Sequence, residues 1–130
     1  MFYAIFDPGR MSVDYANGGH LPMLRISPDG KSEFLDVKDG SPLGLMDGPY
    51  SAGQARIAKG DVFIFYTDGI TEAMNARSDM YGKERLVAVC EASRHLDTAR
   101  MVEAIEKDVR KFEPRSRQHD DMTVIVVKIA

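Results

Sequence analysis

Cysteine is almost missing from this chain. Cys90 is the only one in 130 residues, so no disulfide can close within it. A reducing, cytoplasmic setting is expected. Long apolar runs are missing too. None approaches the roughly 18 residues that cross a bilayer, so no membrane-spanning helix is expected. The opening residues, Met1-Phe2-Tyr3-Ala4-Ile5-Phe6-Asp7, have no basic leader and turn polar at once. They read as a strand without lead-in, not as a secretory signal. An excess of one charge is also lacking. Seventeen Lys and Arg against twenty Asp and Glu leave a net charge of −3. That gives no electrostatic case for nucleic acid or an anionic membrane as partner. The densest basic group, Arg110 to Arg117, is broken by Glu113 and Pro114.

Several kinds of chemistry are excluded in the same way. No G-x-S-x-G nucleophile elbow occurs, and the glycine clusters have neither P-loop nor G-x-G-x-x-G spacing. His20, His95 and His119 are far apart and share no zinc-ligand spacing. His20 follows two glycines and reads as a hairpin residue. His95 reads as a solvated helix-end residue, and His119 as a neighbour able to support Asp120. Cys90 lies in an apolar helical stretch and reads as a buried, inert thiol. Internal repeats and domain boundaries are not visible. With 44% hydrophobic and 28% charged residues, the composition is that of one globular domain.

What is present is a run of strands followed by helices. Ala4 to Phe6, the Asp7-Pro8-Gly9 turn and the alternating Ser12 to Ala16 form a hairpin signal. Asn17-Gly18-Gly19-His20 is a second turn, Leu21 to Ile26 a strand, Ser27-Pro28-Asp29-Gly30 a third turn, and Glu33 to Val37 the returning strand. The first forty residues therefore read as one antiparallel meander. Asp39 to Leu45 is loop-like, with Leu43 and Leu45 expected to dock on the core. Tyr50 to Ile57 is a weak strand. Val62-Phe63-Ile64-Phe65 is apolar on both faces, which places it inside a sheet covered on both sides. Ile70 to Met74 fits a helical turn or loop, and Lys83 to Ser93 a helix. Asp97 or Thr98 can cap a second helix whose stripe is Val102, Ile105, Val109 and Phe112, ended by Pro114. Met122 to Ile129 reads as a last, central strand. The pattern is α+β, with helices on one face of a mainly antiparallel sheet.

Two carboxylates sit at strand ends. Asp68 follows the apolar strand and precedes Gly69, which lets the backbone turn sharply. Asp120, with Asp121 beside it, precedes the last strand. As single residues both fit turns or caps. As a pair on neighbouring strands they fit a hard divalent cation, which prefers oxygen ligands and keeps several waters. Glu72 is expected to face solvent. A metal-free ligand-binding α+β module stays open at this point.

Four motifs in series resemble one family. They are Ala16-Asn17-Gly18-Gly19-His20-Leu21-Pro22, Pro42-Leu43-Gly44-Leu45, Tyr66-Thr67-Asp68-Gly69-Ile70-Thr71-Glu72-Ala73 and Asp120-Asp121-Met122-Thr123. Their order and gaps look like those of the SpoIIE/RsbU-type serine phosphatases, a bacterial branch of the metal-dependent PP2C-like protein phosphatases. The resemblance covers essentially the whole chain. It implies a partial PP2C-like antiparallel β-sandwich with flanking helices and a binuclear Mn²⁺ or Mg²⁺ site at one end. It also implies hydrolysis of phosphoserine or phosphothreonine on a regulatory phosphoprotein such as an anti-sigma factor antagonist. By position, Asp68 and Asp120 match metal ligands and Asp121 the neighbouring position. Gly69 gives the turn room, and the Asn-Gly-Gly-His turn is assigned a structural role.

One departure is large. The family carries an earlier segment with a strand, long helices and an Asp-x-x-Gly-His motif, whose Asp bridges the two metals. Nothing here matches it, and Gly19-His20 belongs to the later hairpin. Residues 1–130 thus read as the C-terminal portion of a single phosphatase domain. Two dications at one separation repel roughly four times as strongly as unit charges. Without the bridging carboxylate, metal binding is expected to be weak and turnover little or none. The uncovered sheet edges would favour a partner or a homodimer, so a non-catalytic regulatory half-domain is the alternative.

Overall fold

The computed structural model describes residues 1–45, 48–114 and 121–130. The elements run β1 (Phe2–Asp7), β2 (Ser12–Asn17), β3 (Met23–Ile26), β4 (Ser32–Leu35), β5 (Ala52–Arg56), β6 (Val62–Tyr66), α1 (Asp68–Thr71), α2 (Gly82–Ser93), α3 (Thr98–Phe112) and β7 (Val124–Lys128). All named strand pairs are antiparallel. They form a three-stranded sheet, β1-β2-β5, and a four-stranded sheet, β4-β3-β6-β7.

The expected single meander is therefore corrected. β1 and β2 pair as a hairpin, and so do β3 and β4, but β2 and β3 lie in different sheets. The chain changes sheets at Asn17 to Leu21. Gly19 there has φ +74, and a side chain on it would come within 2.7 Å of Pro42. Local alternation specifies each hairpin but not which sheet it joins.

The two sheets face each other across Val13, Tyr15, Met23, Leu35, Ile57 and Phe63, with Phe2, Phe6, Phe65 and Val127 packed around them. Phe6 meets Phe63 edge-on at 5.0 Å between ring centres, and Phe2 meets Phe65 at 5.7 Å. The other face of the four-stranded sheet carries Leu24, Ile26, Val62, Ile64 and Tyr66. On it lie Leu86 and Cys90 of α2 and Met101, Ile105 and Val109 of α3. β6 thus sends alternate residues into two cores, as its apolar faces require. The arrangement is a β-sandwich with helices outside one sheet.

The helices follow their local signals. Asp97 caps α3, its side chain accepting from the Arg100 N–H at 2.9 Å. The fully buried stripe is Met101, Ile105 and Val109, so Ile105 and Val109 lie where expected, Met101 takes the place of Val102, and Val102 and Phe112 are half-buried. Leu43 and Leu45 stay exposed instead of docking on the core. β7 is an edge strand, not the central one its Val-Ile-Val-Val run indicates. Its alternate residues serve the two cores, Val124 and Val126 one and Val127 the other, so its composition reports two-sided packing and not strand position.

Candidate metal-binding site

The site forms where β6 leaves its sheet and β7 enters it. Tyr66 pairs with Val124 at the end of the ladder. Beyond that pair the strand ends stay clamped by Thr67. Its N–H donates to the Thr123 carbonyl at 3.1 Å, its Oγ1 accepts from the Thr123 N–H at 3.0 Å, and the same hydroxyl donates to the Asp121 carbonyl at 3.4 Å. Thr67 occupies the N-cap position of α1, yet its hydroxyl joins two strands instead of capping the helix. Asp68 is the next residue, and it is Gly69 after it that comes against the Asp121 backbone.

Gly69 is required by this close approach. A Cβ there would lie 2.5 Å from the Asp121 carbonyl oxygen. The room left by the missing side chain is filled by the backbone of the β7 entry. Asp68 then opens a single helical turn, with the Glu72 N–H donating to its carbonyl at 2.7 Å.

Both carboxylates are exposed. Among the described residues neither carries a hydrogen bond or an ion pair. Asp68 lines a cleft of about 400 Å³ with Gly19, His20, Leu21, Thr67 and Glu72. Exposed carboxylates at the facing ends of two strands are the kind of oxygen donor that a hard cation keeping water ligands can use. The described residues hold no group of three or more His, Cys, Asp or Glu arranged for a metal. Asp120 and His119 lie outside the described residues.

His20 is brought into the cleft by the sheet-changing turn. Asn17 is buried, and its amide fixes that turn from three sides. Its Oδ1 accepts from the His20 N–H at 2.8 Å, and its Nδ2 donates to the His20 carbonyl at 2.8 Å and to Asp36 Oδ1 at 2.7 Å. His20 Nδ1 lies 3.1 Å from the Leu21 carbonyl, so that nitrogen holds the ring proton. The sequence marks the turn but not its neighbour Thr67, because the two are far apart along the chain. Glu72 is exposed as expected and also lines the cleft. His95 is exposed beyond α2. Cys90 is fully buried, and burial pushes its thiol up to about 12.

Paired antiparallel sheets with helices outside one of them make the β-sandwich fold of PP2C domains. The SiaA PP2C domain of Pseudomonas aeruginosa overlays 99% of this chain and 51% of its own, with a TM-score of 0.83 at 18% identity. The sequence model of the family described as Stage II sporulation protein E (SpoIIE) matches residues 1–130, and the chain belongs to that family. Phosphoserine phosphatase RsbU of Bacillus subtilis (strain 168) is 28% identical over 130 residues, which cover 98% of this chain and 38% of RsbU. Protein IcfG of Synechocystis sp. (strain ATCC 27184 / PCC 6803 / Kazusa) is 27% identical over 128 residues, 98% of this chain and 20% of IcfG. The chain thus spans less than two fifths of either curated relative and about half of the SiaA domain.

Proposed function

We propose that this chain is the C-terminal portion of a metal-dependent protein serine/threonine phosphatase domain. The observation that carries this is that Asp68 and Asp121, exposed and without a side-chain partner among the described residues, stand at facing strand ends of a chain matched over residues 1–130 by the SpoIIE family. The substrate is a phosphoserine or phosphothreonine on a cytoplasmic regulatory protein, such as an anti-sigma factor antagonist. Asp68, Asp121 and Asp120 would hold Mn²⁺ or Mg²⁺. When bound, such a cation activates water and neutralises phosphoryl oxygens. The chain's own residues do the rest. Thr67 and Gly69 hold the two strand ends in register, and the cleft beside His20 and Glu72 receives the phosphoryl group.

Residues 1–130 alone have little turnover on this reading. Two or three carboxylates at one side of a site cannot screen two dications from each other. The test is hydrolysis of p-nitrophenyl phosphate with Mn²⁺, for this chain and for Asp68→Ala. Near-background rates from both are expected. Robust turnover by the chain that Asp68→Ala abolishes would sink the claim that a further carboxylate is essential.

A second reading is a non-catalytic half-domain that binds a protein partner or dimerises. The exposed apolar side chains on β1, Tyr3 and Ile5, favour it. Light scattering on the eluting chain separates the readings. A clean monomer with no tendency to associate would count against the second.

A further inference from the structure

The turn that carries the chain between the sheets also holds a chemically labile pair, Asn17-Gly18. Asparagine amides are labile, most of all before glycine, which has no side chain to keep its nitrogen off the neighbouring side-chain carbonyl. The chain has one other asparagine, Asn75, and there the methyl of Ala76 stands in the way. The reaction needs only the chain and water. The Gly18 nitrogen bonds to Asn17 Cγ and the Cγ–Nδ2 bond breaks. Nδ2 leaves as ammonia, taking the proton of the Gly18 N–H. Water then opens either carbonyl of the cyclic imide, which leaves an aspartate or an isoaspartate at position 17.

The fold restrains both reacting groups. Asn17 ends β2 and pairs with Phe2, and the Gly18 N–H donates to the Met1 carbonyl at 2.7 Å. Asn17 is 5% exposed, and its amide is tied to both the N–H and the carbonyl of His20 and to Asp36. Gly40 closes over it, since a Cβ there would lie 2.1 Å from the Asn17 carbonyl oxygen. The side chain cannot swing onto the Gly18 nitrogen while these contacts hold. The same contacts do not survive the reaction. Nδ2 donates to the His20 carbonyl at 2.8 Å and to Asp36 Oδ1 at 2.7 Å. An oxygen in its place is an acceptor facing two acceptors, one of them a second carboxylate. An isoaspartate also lengthens the backbone by a methylene where the chain changes sheets.

We infer that Asn17 is a modification site gated by the fold. The closed turn protects it. Once the turn opens, conversion to aspartate or isoaspartate keeps it from closing again. Gly19, His20 and Leu21 line the Asp68 cleft from this turn, so the cleft loses that wall with it. The change is one-way and needs no enzyme. The inference rests on the geometry of the turn and holds whether or not the chain hydrolyses phosphate esters.

Peptide mass spectrometry tests it. The chain is kept in mildly alkaline buffer, folded in one sample and unfolded by guanidinium chloride in the other. The tryptic peptide Met11–Arg25 carries Asn17 and no other side-chain amide, so the mass gain of amide turned to acid reports Asn17 alone. In the unfolded chain Asn17 should convert ahead of Asn75. In the folded chain it should convert at least about tenfold more slowly, because opening must come before attack. Equal rates in the two samples, or Asn75 converting first, would overturn the inference. The consequence has its own readout. Chain aged in denaturant is returned to buffer and passed over a size-exclusion column beside fresh chain. The folded peak should hold unmodified peptide, with the modified peptide left in the aggregated fraction. Modified peptide present in the folded peak at its full share would contradict the claim that the turn cannot close again. Asn17→Asp should lower the denaturation midpoint or prevent folding. Adding Asp36→Asn should recover part of the loss, because an amide there donates to the new carboxylate. An unmoved midpoint in the single variant, or no recovery in the double one, counts against the inference.

Discussion

At the scale of single residues, the site depends on what each backbone position leaves room for. Gly69 is the tightest. Gly69→Ala drives a methyl against the Asp121 carbonyl and should cost roughly 1–3 kcal/mol, as overpacking does, while also weakening cation binding by parting the strand ends. Urea midpoints and a Mn²⁺ titration of the same variant read both effects. Asp68 stood out in the sequence as an Asp-Gly at the end of an apolar strand, a pattern that a plain turn also fits. Asp121 was named only as the neighbour of Asp120, and the fold sets its backbone against Gly69. His20 was read as a turn residue. It holds that turn, but its place in the cleft depends on a change of sheet that no local pattern encodes. Two buried groups set an alkaline limit. Burial raises the Cys90 thiol from 9.0 to about 12 and, as the largest of its causes, the Tyr66 hydroxyl from 10.0 to about 12. Both are neutral in the folded state, so their contribution is complete below about pH 9 and is lost as pH climbs toward about 12. The urea midpoint followed by circular dichroism should fall steadily over that window, and Cys90→Ala should flatten part of the fall.

At the scale of elements, the helices were the most legible parts. Asp97 caps α3 as its position indicates, and Asp97→Ala should cost about 1 kcal/mol in the urea midpoint. Ile105→Ala, at the centre of the stripe against β6, should cost roughly 2–5 kcal/mol. The strands were legible one at a time and not as a set. Each hairpin was found, but the pairing β2 to β5 and β3 to β6 joins residues about forty apart, which alternation alone does not specify. β7 was placed at the centre because its residues are apolar on both faces, a property that a sandwich edge packed under α3 shares. A buried ion pair holds the other end of β6. Arg25 donates to the fully buried Asp61 at 2.8 Å, and Asp61 also accepts from the Ala58 N–H. Arg25→Ala strands that carboxylate in the core and should cost roughly 3 kcal/mol or more. A change within 0.5 kcal/mol would show that water reaches it.

At the scale of the whole molecule, the sheets, the core and the clamp at the β6 and β7 ends are all in place. What the described residues do not supply is a third ligating group. The phosphatase family was legible because four motifs recur in order. The proposal of an incomplete metal site rests on the fifth motif, which does not recur. The central claim is that Asp68 anchors a cation site with too few carboxylates for a pair of ions. Calorimetric titration of Mn²⁺ into this chain and into Asp68→Asn tests it most directly. Weak binding of about one ion per chain, lost in Asp68→Asn, is expected for a hard cation on two or three carboxylates. Tight uptake of two ions, or binding that Asp68→Asn leaves unchanged, would contradict it.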